Sequence, residues 1–113
     1  MKRGIPALAC AEKQFMAQVI DLAQLLGWLV YHTYDSRRSA AGYPDLTLVR
    51  ERTIFAELKT ARGILHPEQE IWREALEHAG AEYYLWRPTD WQQIQEILQN
   101  RSTTPPRISH HVL

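Results

Sequence analysis

The sequence predicts a single α/β domain of order α-β-β-β-α-β-α, with a central mixed sheet flanked by helices. Three observations predict it. Apolar residues recur at helical spacing from about Ala7 to Leu26. Two β-rich runs further on are separated only by "RERT", so they form an antiparallel hairpin. A second helical stripe then feeds the strand-like "EYYLW" and a last helix, the βα crossover of a mixed sheet.

Each element has its own local reason. Leu8, Phe15, Met16, Val19, Leu22, Ala23 and Leu26 give the first helix its stripe, and Gly27 stops it. Trp28–Thr33 is β-branched and aromatic, which reads as a strand. The polar loop "YDSRRSAAGY" is long for a small domain, and such loops often carry function. Asp45–Val49 and Ile54–Lys59 are the hairpin strands, followed by the loop "ARGILH". Pro67 suits a helix's first turn, Ile71, Trp72, Ala75, Leu76 and Ala79 give that helix a buried face, and Gly80 ends it. Glu82–Trp86 is the fourth strand, and Thr89 or Asp90 caps a helix with Trp91, Ile94, Ile97 and Leu98 on its stripe. One domain over 1–113 is expected, with a core at about 7–100 and a tail from 101 that is either mobile or docked on a partner.

Composition excludes several classes. The chain has 113 residues, enough for a core without staples, and its single cysteine, Cys10, allows no internal disulfide and no cysteine-based zinc cluster. There is no apolar leader segment and no run long enough to span a membrane, so a cytoplasmic protein is expected. A net charge of zero argues against a simple DNA-coating protein. The charges are uneven, however. Lys2, Arg3, Arg37, Arg38, Lys59 and Arg62 fall near the start or the candidate site, while Glu68, Glu70, Glu74, Glu77 and Glu82 gather in and after one helix.

The candidate chemistry lies in "GYPDLTLVRERTIFAELKT". On a strand alternate residues share a face, so Glu57 and Lys59 point one way and Ile54, Ala56 and Leu58 the other. If Arg50-Glu51-Arg52 is the loop and Val49 pairs with Thr53, Asp45 falls opposite Glu57. Opposed Cβ atoms are then about 5 Å apart, and two carboxylates so close repel unless a cation lies between them. A four-residue loop puts Asp45 on the wrong face unless a bulge restores it. Glu12 lies on the first helix's apolar stripe. Either that helix end frays and Glu12 reaches water, or Glu12 faces the same cation as Asp45 and Glu57. Oxygen ligands of this kind suit Mg²⁺ or Mn²⁺. Such ions polarise a phosphodiester and acidify water. Lys59 can steady the attacking water or the negative charge that develops. The Leu58 backbone carbonyl is a further candidate ligand.

"YPDL" followed by "AELK" resembles the PD-(D/E)xK nuclease superfamily, whose fold is restriction-endonuclease-like. More narrowly, "GYPDLTLV", "FAELKTARG" and "HPEQEIWREALEHAGAEYYLWRP" resemble the stand-alone VRR-NUC (virus-type replication-repair nuclease) domain over roughly Glu12–Asn100. The resemblance implies that Asp45, Glu57 and Lys59 are the catalytic set. It also implies that Gln69, three residues before Trp72, faces the site, and that Glu12 matches the helical acid of resolvase-like relatives. It implies metal-dependent endonuclease cleavage of DNA, as in DNA repair or Holliday junction resolution, on branched or flapped substrates and often by a homodimer. The rival readings are a non-enzymatic DNA-binding or interaction module on this fold and a restriction-type endonuclease. Arg37, Arg38 and Ser39 form a basic loop suited to DNA phosphates, and Arg62 has a similar case. Tyr34 and Tyr43 either stack on bases or pack, and His66 reads as a helix cap rather than a metal ligand.

Overall fold

The computed structural model describes residues 7–34 and 40–102. Helix α1 (Ala7–Leu25) leads to β1 (Leu29–His32), β2 (Leu46–Val49) and β3 (Thr53–Leu58). Helix α2 (Pro67–His78), β4 (Glu82–Trp86), a 3-10 turn at Pro88–Asp90 and α3 (Trp91–Gln99) complete the chain. This is the expected order, with ends moved by a residue or so. No helix among the described residues is long and apolar enough to cross a membrane.

The four strands lie side by side in sequence order. β1, β2 and β3 form an antiparallel meander, and β4 joins β3 in parallel. The parallel pair follows from α2, which carries the chain back so that β4 starts at the same end as β3. Val49 pairs with Thr53 and Leu46 with Ala56, so Arg50-Glu51-Arg52 is the three-residue turn and the ladder continues towards Asp45 opposite Glu57. The conditional register is therefore the one adopted.

Alternation along the strands divides the sheet into two faces. Leu46, Leu48, Ile54, Ala56 and Leu58 are buried on one, against Phe15, Val19 and Ala23 of α1 and Ile94 and Leu98 of α3. α2 covers the other face over β3 and β4, yet it contains no fully buried residue. Of its expected buried positions only Trp72 and Leu76 are half-buried; Ile71, Ala75 and Ala79 are exposed. The reason is that Gln69, Trp72 and Leu76, at helical spacing, already fill the narrow contact, and the wider stripe has nothing to meet. Tyr43 joins this layer, edge-on to Trp72 at 5.0 Å and to Phe55 at 6.5 Å.

The hairpin turn does more than reverse the chain. Arg50 Nη1 donates to the carbonyls of Leu26 (2.8 Å) and Leu98 (3.1 Å), and Nη2 to that of Asn100 (2.8 Å). Arg52 donates to Ile97 (3.0 Å), Asn100 (2.7 Å) and Ser102 (3.2 Å) carbonyls and pairs with buried Glu82, Nε to Oε1, at 2.7 Å. Tyr84 donates its hydroxyl to the same carboxylate at 2.6 Å. Both guanidiniums lie over Trp28, 4.4 and 5.3 Å from its ring centre. The last carbonyls of a helix have no partner within it and carry partial negative charge. Two arginines here satisfy those of α1 and α3 together.

Candidate active site

The Arg50/Arg52 clamp occupies one end of the sheet; the carboxylates occupy the other, where β1, β3 and β4 finish and β2 begins. Local chain chemistry puts Asp45 there. Past Leu46 and Ala56 the next ladder partner of Leu58 would be Pro44. Pro44 has no N–H, and its carbonyl accepts the Thr33 hydroxyl at 2.9 Å. The Leu58 amide is satisfied instead by Asp45 Oδ2 at 2.9 Å. The Asp45 backbone carbonyl accepts the Thr33 N–H at 2.9 Å, which locks the residue between β1 and β3.

Glu57 is 2 % exposed, on the α2 face of β3 beside Phe55 and Lys59. Its Oε2 accepts the side-chain amide of Gln69 at 2.7 Å and lies 3.8 Å from Lys59 Nζ. Its Oε1 is buried and has no hydrogen-bond partner. Burial, then the charge of Asp45, pushes the Glu57 carboxyl up to about 8, against the opposing pull of Lys59. Burial also raises Asp45, countered by the Leu58 amide, Lys59 and His32. Two carboxylates held together and desolvated in this way are costly when both are charged.

Gln69 is fixed from both sides. Its Oε1 accepts the His66 backbone N–H at 2.8 Å, the reach-back half of a capping box, which leaves Nε2 aimed at Glu57. His66 is thus the N-cap position of α2, as its place before Pro67 suggests. Gly42 seats the same helix end. Its φ is +86°, and a Cβ there would stand 2.4 Å from the Glu68 carbonyl group and 2.7 Å from Gln69 N. On the far side, Arg87 Nη1 donates to the Thr60 and Gly63 carbonyls at 2.6 Å each, pinning the loop that follows Lys59.

The structure therefore brings Asp45, Glu57, Lys59 and Gln69 together. Glu12 does not join them as a third acid: no group of three His, Cys, Asp or Glu side chains able to hold a metal ion occurs among the described residues. Glu12 is half-buried on α1, whose apolar stripe packs on the opposite face of the sheet from Glu57. Arg62 is exposed in the loop after Lys59. Arg37, Arg38 and Ser39, and the tail from 103, lie outside the described residues. Gln69 was expected to face the site, and its partner there is Glu57. The capping-box spacing of Gln69 after His66 was the available signal.

Do these residues fit a divalent ion? The orphaned Oε1 of Glu57 is the clearest observation, because a buried carboxylate oxygen without a donor calls for a cation. Asp45 lies across from it. Leu58 donates its N–H to Asp45, while Lys59 N–H points to β4 and bonds the Trp86 carbonyl at 3.0 Å. In a strand the N–H and C=O of one residue point to the same side, so the Leu58 carbonyl faces Asp45. Two carboxylates and a carbonyl suit Mg²⁺ or Mn²⁺, which keep several waters and few protein ligands. The donor set fits.

A solved structure of a "VRR_NUC domain protein" superposes on this chain with a TM-score of 0.65 at 18% identity, covering 91% of this chain and 93% of that one. The chain has the VRR-NUC fold. No protein-family model and no curated protein matches the sequence. The α-β-β-β-α-β-α order and the four-stranded mixed sheet are those the sequence predicts.

Proposed function

We propose that the chain is a divalent-metal-dependent DNA endonuclease that hydrolyses phosphodiester bonds in branched or flapped DNA. The observation that carries this reading is Glu57: a buried carboxylate with one unpartnered oxygen, across from Asp45 and on one strand face with Lys59. Asp45, Glu57 and the Leu58 carbonyl would hold Mg²⁺ or Mn²⁺. When bound, such an ion polarises the phosphodiester and lowers the pKa of water.

The chain's own residues do the rest. Lys59 supplies positive charge where the phosphate gains negative charge, in a site shielded enough for that charge to count. Gln69 fixes the Glu57 carboxylate and keeps Oε1 free. Arg62, with the basic loop of Arg37, Arg38 and Ser39, contacts phosphates away from the scissile bond. Leu29, Tyr31 and Val49 form an exposed apolar face on β1 and β2, 74, 60 and 38 % exposed, and β1 is an edge strand. This face supports a homodimer, which would give one small neutral domain a longer DNA track.

The test is cleavage of junction, flap, nicked and linear DNA with Mg²⁺ and with Mn²⁺. Wild type cuts a branched substrate, and Glu57→Ala and Lys59→Ala each abolish cutting. Inert wild type on every substrate favours the non-enzymatic module; activity surviving either substitution overturns the site.

A further inference from the structure

The two tyrosines left open by the sequence separate in the structure. Tyr43 is a packing residue between Phe55 and Trp72. Tyr34 is 83 % exposed, with its ring against His32 at a centroid distance of 4.3 Å and an interplanar angle of 48°. It follows Thr33, whose N–H and hydroxyl are bonded to the Asp45 and Pro44 carbonyls at 2.9 Å each. The aromatic pair is thus anchored one residue from the backbone bond that holds the site aspartate. A Cα step of about 3.8 Å and a strand spacing of about 4.8 Å place the Tyr34 Cα within roughly 10 Å of the Asp45 Cα. That is about three nucleotides of stacked strand, at about 3.4 Å each.

We propose that Tyr34, backed by His32, is a stacking platform for an unpaired nucleobase flanking the phosphate that is cut. Three features converge on this ligand. One side of the ring is supported by the imidazole while the residue as a whole stays open. The position is fixed through Thr33, which is bonded to the Asp45 backbone carbonyl. The chain has no net charge, so affinity for nucleic acid has to come partly from contacts other than phosphate attraction. Stacking supplies it and is tolerant of sequence, because every base has a π-face. It also discriminates structure: a paired base inside a duplex cannot present its face, whereas a base at a flap or junction can. The platform's link to cleavage rests on the nuclease reading above.

The experiment separates the two. A single-stranded oligonucleotide carrying 2-aminopurine is titrated with wild type, Tyr34→Phe and Tyr34→Ala in EDTA, with a blunt duplex as the comparison. Wild type and Tyr34→Phe quench the probe. Tyr34→Ala binds it roughly 5- to 150-fold more weakly, the range for one lost base–aromatic stack, while duplex binding is unchanged. The exposed ring leaves the melting temperature of Tyr34→Ala at the wild-type value. Equal quenching by all three proteins, or an equal loss on the duplex, overturns the platform. Tyr34-dependent quenching by a protein that cuts no DNA leaves the platform standing and removes the nuclease; cutting without Tyr34-dependent quenching does the reverse.

Discussion

Gln69 holds Glu57 by one oxygen only. The 2.7 Å bond from Gln69 Nε2 goes to Oε2, and the His66 amide on Oε1 of Gln69 prevents the side chain from turning over. A group behind a ligand typically contributes 10- to 100-fold to metal affinity or activity. Gln69→Ala is therefore expected to lower cleavage by about 10- to 100-fold and to weaken Mn²⁺ binding in calorimetry. Wild-type affinity and rate in this variant would show that the bond is incidental.

The raised Glu57 carboxyl sets a pH dependence. Its folded value, about 8, lies above the ordinary value of 4.5, so in that window the folded chain binds more protons than the unfolded one. Stability then falls as pH rises, because the slope follows the proton excess of the unfolded state. In EDTA, the urea midpoint of wild type should drop between pH 5 and pH 8 relative to that of Glu57→Gln. Mg²⁺ or Mn²⁺ should restore more stability at pH 8 than at pH 5, since the ion replaces the proton. A wild-type midpoint that rises with pH relative to Glu57→Gln contradicts the account.

Gly42 is the seat of the α2 N-terminus. Gly42→Ala forces a Cβ against the Glu68 carbonyl group and puts a side chain at φ +86°. The backbone conformation alone should cost more than about 1 kcal/mol, and the contact displaces Gln69 from Glu57. Cleavage should fall together with the urea midpoint. Full activity and full stability in this variant would mean that the helix end moves freely.

The Arg52–Glu82 pair tests the opposite end. Removing one member leaves the other charge buried, which costs about 3–5 kcal/mol. Arg52→Ala is expected to lose about that much in denaturant unfolding, while Arg52→Met with Glu82→Leu recovers part of it. The helix carbonyls that Arg52 serves remain unsatisfied, so recovery is incomplete. A single substitution costing under about 1 kcal/mol, the ceiling for most surface ion pairs, would rule out the clamp.

The hairpin was readable from its two-residue strand period, but its register depended on the turn: three residues put Asp45 opposite Glu57 and four do not, and the pairing of Val49 with Thr53 selects the three-residue turn. Lys59 followed from the same period. Glu12 was not readable: its stripe gave the helix's buried side but not which face of the sheet that side would meet. Ile71 looked buried because helical spacing reports a possible stripe, not the width of the surface beneath it. Arg50 and Arg52 sit in a polar turn that looks solvated in sequence, and their carbonyl partners lie 24 to 50 residues away. Contacts of that range leave no periodic trace.

Those carbonyls also redraw where the domain ends. Helical periodicity stops near Gln99, but Arg50 and Arg52 both bond the Asn100 carbonyl, and Arg52 that of Ser102. A chain cut after Gln99 would keep every helix and strand and still leave two guanidiniums, that of Arg52 buried, short of some of their acceptors. What two guanidiniums need thus draws Arg101 and Ser102, the first two residues of the expected tail, into the body of the protein.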